Sequence, residues 1–168
     1  MIKFLFGLIV GIGLLLLGGY LFATRGSLFM GTKGGPLPME RSIAHKALSA
    51  SIGQSSQDQS PFPTDETNLL AGAHVYQQNC AVCHGRLDQP APETGKRFYP
   101  HVPPLLPPSE GVTDDPVGTT HWVVNNGIRF SAMSSFEGTL TEAEIWQVSL
   151  LLRNADKLPP PVQEFLRK

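Results

Sequence analysis

Residues 76–85 read Tyr76-Gln77-Gln78-Asn79-Cys80-Ala81-Val82-Cys83-His84-Gly85, and both cysteines of the chain fall inside this run. Cys-x-x-Cys by itself is compatible with a thiol redox pair, half a zinc site or a disulfide. The histidine directly after the second cysteine changes the reading. Two thiols three residues apart lie on one helical turn, where each can add to one vinyl group of a haem. The imidazole beside them then falls under the porphyrin plane and binds the iron axially. A zinc site needs further ligands, and no second cysteine pair exists. A thioredoxin-like pair needs βαβ surroundings, which the flanks do not provide. One motif predicts one covalently attached haem c, held by Cys80, Cys83 and His84, and argues against chemistry that needs a chain of haems.

The sequence on either side predicts two helices that cross. Thr64 to Asn79 reads as a helix, with Pro63 before it and Asp65 and Glu66 in its first turn. Leu69, Ala73, Tyr76 and Cys80 follow one face, and Gly72 lies on the same side. A glycine inside a helix costs about 1 kcal/mol against alanine, and close passage of a second helix is a reason to keep one. The second helix starts at Thr141-Glu142-Ala143-Glu144, a capping box, with Leu140 and Ile145 as a hydrophobic staple. Ile145, Val148, Leu152 and Ala155 recur along it at helical spacing, and Leu158 with Pro159 to Pro161 is expected to stop it. Between the helices, Arg86 to Gly138 holds eight of the fifteen prolines, too many for sheet. One short helix is expected there over Asp115–Asn125, with Trp122 inward, and the remainder as loops around the haem.

The formal net charge of −1 over 168 residues excludes nucleic-acid binding through bulk positive charge. It hides an asymmetry. Residues 1–64 carry five basic and two acidic side chains, whereas residues 65–168 carry eight basic and twelve acidic ones. Phe4 to Ala23 contains no charge; as a helix its twenty residues would span about 30 Å, the thickness of a bilayer's hydrocarbon core. The run is longer than a signal-peptide core, and Ala23-Thr24-Arg25 is a poor cleavage site, so residues 1–24 are expected to be an uncleaved transmembrane anchor. Lys3 before the run and Arg25, Lys33 and Arg41 after it balance against an exported C-terminal body; the haem motif, which requires export, overrules that count. Gly7, Gly11 and Gly18 share a face that would let another membrane helix approach closely. Residues 25–64 are expected to be a linker with a short helix over 39–50, because Gln54 to Ser60 is polar and poor in core formers. Residues 65–168 then form the haem domain.

A sixth iron ligand after the motif could come from His101, His121 or Met133; Met133 stands in a loop that leads towards the last helix, and His101 and His121 are expected to be surface or loop histidines. At this point a resemblance becomes visible. In order, the chain has Gly72 and Tyr76, then Cys80-x-x-Cys83-His84-Gly85. Pro104-Leu105 and Asn126-Gly127-Ile128 follow, then Met133 with Phe136, and Leu140-Thr141-x-x-Glu144-Ile145-Trp146. Residues 65–166 thereby resemble the small single-haem cytochrome c domains of bacteria, of class I type. The family often has Met-Pro-x-Phe where this chain has Met133-Ser134-Ser135-Phe136, and an aromatic where Leu151 stands. The resemblance implies an all-α fold with crossing terminal helices, and His84 and Met133 as axial ligands. It also implies that Pro104 orients His84 through its carbonyl. With both axial positions filled, the expected activity is single-electron transfer and not enzymatic turnover. It would run between a redox-protein donor and acceptor at the outer face of a bacterial inner membrane, with the haem domain in the periplasm. The other readings are a fixed haem subunit of a larger complex and a haem-based ligand sensor.

Overall fold

Ile2–Thr24 form one uninterrupted helix, α1, in the computed structural model; the run contains no proline, and its leucines outweigh the cost of its glycines. Its 23 residues reach about 35 Å at 1.5 Å per residue, and none is buried in the protein. Length and composition suffice to cross a bilayer. The structure describes residues 2–25, 31–109 and 111–168; Met1, residues 26–30 of the expected linker and residue 110 of the proline-rich stretch lie outside the described residues. Residues 1–37 and 38–168 form two separate units.

The second unit begins well before residue 65, which corrects the expected linker over 25–64. Helix α2 (Glu40–Ile52) runs directly into a 3₁₀ turn, Gly53–Gln57. Ile52 is buried, and the turn packs on a helix of the body, Val117–Asn126 (α6). A Cβ at Gly118 of α6 would land on the carbonyl oxygens of Ser55 and Asp58. The contact is therefore made by backbone against backbone, and the polar side chains of Gln54–Ser60 hide it from a reading of composition.

Helix α3 (Glu66–Asn79) starts later than expected. Asp65 is its N-cap, its carboxylate accepting from the Asn68 N–H at 2.9 Å, so the acid neutralises an orphan donor and does not stand inside the first turn. Helix α7 (Glu142–Arg153) opens with the anticipated capping box between Thr141 and Glu144. The two cross at Gly72, where a Cβ would overlap the Gln147 carbonyl oxygen and lie 3.1 Å from the Leu151 Cβ. Ala73, Tyr76, Val148 and Leu151 are sealed completely in this crossing. Burying a valine or leucine this fully contributes about 1.5–3 kcal/mol.

Two short helices, α4 (Ala81–His84) and α5 (Glu93–Lys96), follow α3. In α6 only part of Trp122 is covered, so the expected inward aromatic is half-buried. Helix α7 ends at Arg153, before Leu158 and the prolines that were expected to stop it, and a further helix, Pro160–Arg167 (α8), follows with proline in its first turn. That turn needs no N–H bonds, which is why proline starts this helix instead of ending the previous one. Val162 and Leu166 of α8 are buried, and the Phe165 carbonyl accepts from Gln77 Nε2 of α3 at 2.7 Å. No strand is found among the described residues, and the fold is all-α.

Gly72→Ala tests the crossing. The new methyl must displace the Gln147 carbonyl, a backbone atom that cannot swing aside, so thermal unfolding should show a loss of about 1–3 kcal/mol, as overpacked cores do. An unchanged melting temperature would mean that α3 and α7 have room to separate.

Candidate functional site

The Cys-x-x-Cys-His motif sits where α3 breaks. Cys80 leaves the helix with φ −111°, and one further turn closes as the Cys83 and His84 N–H groups donate to the Cys80 carbonyl at 3.1 and 2.9 Å. Gly85 follows at φ 88°, a left-handed conformation suited to glycine. The Tyr76 hydroxyl, buried on α3, donates to the Gly85 carbonyl at 2.7 Å and ties the end of the motif to the core. Its burial, with Cys80 nearby, raises the phenol's pKa, so the hydroxyl stays a donor. On the other side α5 leans on α4: a Cβ at Gly95 would meet the Cys83 carbonyl, and the Gly95 carbonyl accepts from the Val102 N–H at 3.2 Å.

These supports place two free thiols one turn apart, Cys80 buried and Cys83 half-buried. Burial, with Cys83 beside it, pushes the Cys80 thiol up to about 12. Reactive Cys-x-x-Cys pairs show the opposite, a lowered thiol. Among the described residues no group of three or more His, Cys, Asp and Glu is placed to hold a metal ion, so the ligands a zinc site requires do not gather here.

His84 Nδ1 lies 2.8 Å from the Pro103 carbonyl oxygen. A carbonyl only accepts, so Nδ1 carries the proton and Nε2 keeps its lone pair. A ligating histidine is oriented, and made more basic, by this kind of bond from its other nitrogen. Burial lowers the imidazole's pKa and outweighs the opposing effect of the Pro103 bond, which favours the neutral ring that a metal needs. The partner is a correction to the expected role of Pro104, whose own carbonyl accepts from the Ser109 hydroxyl at 2.9 Å. Pro104 acts one step back. Its ring confines residue 103 to extended backbone, and that sets the direction of the Pro103 carbonyl.

Met133 is half-buried against the same core as Cys80 and Tyr76. Its loop folds back on the end of α6. The Ile128 N–H donates to the Met133 carbonyl at 2.9 Å, the Ser135 hydroxyl to the Asn125 carbonyl at 2.6 Å, and the Phe136 N–H to the Val124 carbonyl at 3.1 Å. Gly127, at φ 70°, makes room for the Met133 carbonyl, which lies 2.8 Å from where a Cβ would be. The two histidines that competed with Met133 are placed elsewhere. His101 is exposed. His121, expected at the surface, is half-buried and stacks on Trp146 at 3.8 Å, with Nε2 3.0 Å from Glu142 Oε1. The same Glu142 oxygen accepts from Trp146 Nε1 at 2.9 Å. Two free thiols on one turn, an imidazole with Nε2 available and a thioether on the same core make a donor set that fits a haem c.

The supports that sequence reasoning missed are Pro103, Gly95 and the Tyr76 hydroxyl. Tyr76 was legible only as an apolar position, and Gly95 only as a loop glycine. Tyr76→Phe should leave the buried Gly85 carbonyl without its donor, which costs about 1–3 kcal/mol. Denaturant unfolding reads that loss directly, and an unaltered midpoint would show that the bond to Gly85 is dispensable.

Residues 67–150 match the family model described as cytochrome c oxidase, cbb3-type, subunit III. That range runs from α3 through most of α7 and contains Cys80, Cys83, His84 and Met133. No curated protein and no solved structure gives a match.

Proposed function

The chain belongs to this family, whose cytochrome c domain implies a covalently bound haem c and electron transfer; from that premise we propose a single-haem, membrane-anchored carrier of single electrons between redox proteins at the outer face of a bacterial inner membrane. The observation that carries the reading is the His84 Nδ1 bond to Pro103 beside two free thiols on one helical turn. It presents Nε2 and both sulfurs from one rigid support. When bound, the haem supplies one-electron chemistry through ferrous and ferric iron. The chain's part would be to hold it, Cys80 and Cys83 through thioether bonds, with His84 Nε2 and Met133 Sδ as the donors to its iron. With both donors coming from the chain, the chemistry supplied would be electron transfer and not turnover of a substrate.

The anchor is α1, and attachment of haem to the motif places the second unit on the periplasmic side. Among the described residues, a Cβ built on Gly7, Gly11 or Gly18 would meet nothing within 4 Å beyond its own chain neighbours and helix backbone, which suits packing against a helix of a partner. A fixed place within a membrane complex has two supports. The family description is of an oxidase subunit. The segment that was expected to be free linker is docked on the body. Donor and acceptor are then redox proteins in or at the same membrane. Purification from native membranes in mild detergent, asking what migrates with the protein, separates a complex subunit from a lone carrier.

Two outcomes follow from the site. The protein should keep its colour through acid-acetone extraction and denaturing electrophoresis, because thioether bonds survive both. Cys83→Ala should leave at most one such bond, and a colourless product after expression with a working haem-attachment system would refute the assignment.

The ferric protein should also show the weak far-red band of a sulfur–iron bond. Met133→His should abolish the band and lower the potential, while His121→Ala should leave it in place. Ready binding of carbon monoxide by the native ferrous protein would instead favour a ligand sensor.

A further inference from the structure

Helix α2 has two apolar sides, and the body covers only one. Ile52 is buried and Leu48 half-buried where α2 meets the body. Ile43, Ala47 and Ala50, at i, i+4 and i+7, line the opposite side, and Met39, the residue before the helix, is exposed at its start. Met39 is 72 % exposed and Ile43 is 60 % exposed. Met39 also stands at φ 65° as the N-cap residue, a left-handed conformation costing a non-glycine residue about 1–2 kcal/mol. Asn or Gly would sit there with less strain and cap the helix better. A long apolar side chain held at that cost, pointing away from the body, indicates an apolar surface outside the chain.

The charge pattern selects which surface. Within the second unit, residues 38–50 carry Arg41 and Lys46 against one acid, Glu40; the Glu40 carboxylate accepts from the Tyr99 hydroxyl at 3.0 Å, and Lys46, three residues after Ile43, shares its side of α2. Residues 65–168 carry four more acids than bases. An anionic bilayer would therefore attract the α2 end of the second unit and repel the remainder, since each basic residue near such a surface is favourable. The stripe is also narrow. Four side chains, two of them alanine, fall far short of the roughly 800 Å² per partner that a specific protein interface buries. They do suit the shallow insertion of an interfacial helix. The surface is within reach, because Met39 is fifteen residues beyond the end of α1, at most about 50 Å of extended chain.

We propose that the outward face of α2, centred on Met39 and Ile43, lies in the headgroup region of an anionic lipid bilayer and holds the haem domain against the membrane. The proposal rests on the reading of α1 as an anchor.

The test uses the full-length haem-loaded protein with Ile43→Cys, the only free thiol once Cys80 and Cys83 carry haem, labelled with a nitroxide. Gln78→Cys, on an exposed position of α3, is the aqueous control. Both proteins are reconstituted into vesicles of phosphatidylcholine with phosphatidylglycerol, and into phosphatidylcholine alone. Flotation of the protein with the vesicles reports on α1. In anionic vesicles, collisions with a water-soluble nickel chelate should fall several-fold at position 43 relative to 78, while collisions with oxygen rise. The contrast should shrink in phosphatidylcholine alone and with Lys46→Glu. Flotation with a water-exposed label at 43 would overturn the α2 proposal and leave the anchor standing. Failure to float would overturn both. Spin–spin broadening between labels at 43 would also overturn it, showing a second copy of the chain on the stripe in place of lipid.

Discussion

The contact between Gly72 and the Gln147 carbonyl is the constraint on which the haem domain depends. It lets α3 and α7 cross with backbone against backbone, and any side chain at 72 would force them apart. Helix α3 is the arm that carries the motif. Its direction, set at the crossing, determines where Cys80 leaves the helix and where α4 presents Cys83 and His84. The family often has an aromatic where this chain has Leu151. Here Leu151 is completely buried against Gly72, so a smaller side chain fills a crossing that is already close. A change in the core is thus a change in the aim of Cys80, Cys83 and His84.

Around the motif, rigidity comes from backbone carbonyls held by defined donors. The Gly85 carbonyl is held by Tyr76, the Cys83 carbonyl is covered by Gly95, and the Pro103 carbonyl receives the proton of His84 Nδ1. Each fixes a peptide plane within a few residues of a sulfur or of the imidazole. None adds a formal charge, and the neutral ring is favoured by burial. A bond of this kind fixes the tautomer and the orientation of the imidazole without bringing a formal charge to it.

Several of these features are legible in the amino-acid sequence itself. The capping box of Thr141 and Glu144 and the reason for a glycine at 72 are local rules with a stated mechanism, and both hold in the structure. The readings that failed did so where composition stands in for geometry. Gln54–Ser60 looked like linker because its side chains are polar, but its contact with α6 is made by carbonyls at Gly118, and side-chain character says nothing about that. The stop before Pro159–Pro161 is real, since α7 ends at Arg153, but the helix that starts at Pro160 was missed because proline is noticed more often as an end than as a beginning. His121 looked like a surface residue because nothing in its own neighbourhood announces Trp146 and Glu142, more than twenty residues away. The Pro103 and Pro104 positions were confused by one residue, since a carbonyl's direction depends on the ring that follows it.

The docked segment changes what the anchor can do. Taken as a free chain, residues 25–64 would have a root-mean-square reach of roughly 35 Å, enough to carry the haem domain between neighbouring complexes. The second unit starts at Pro38, so thirteen residues separate it from the end of α1. Even as a free chain those would reach only about 20 Å. Effective concentration rises roughly as the inverse three-halves power of tether length, so shortening the tether to a third raises encounters with a neighbour in the same complex about fivefold and withdraws more distant ones. A carrier serving several complexes gains from length; a carrier serving one gains from brevity. The order in residues 40–57 shortens the free segment, and a shorter tether favours one neighbour over several.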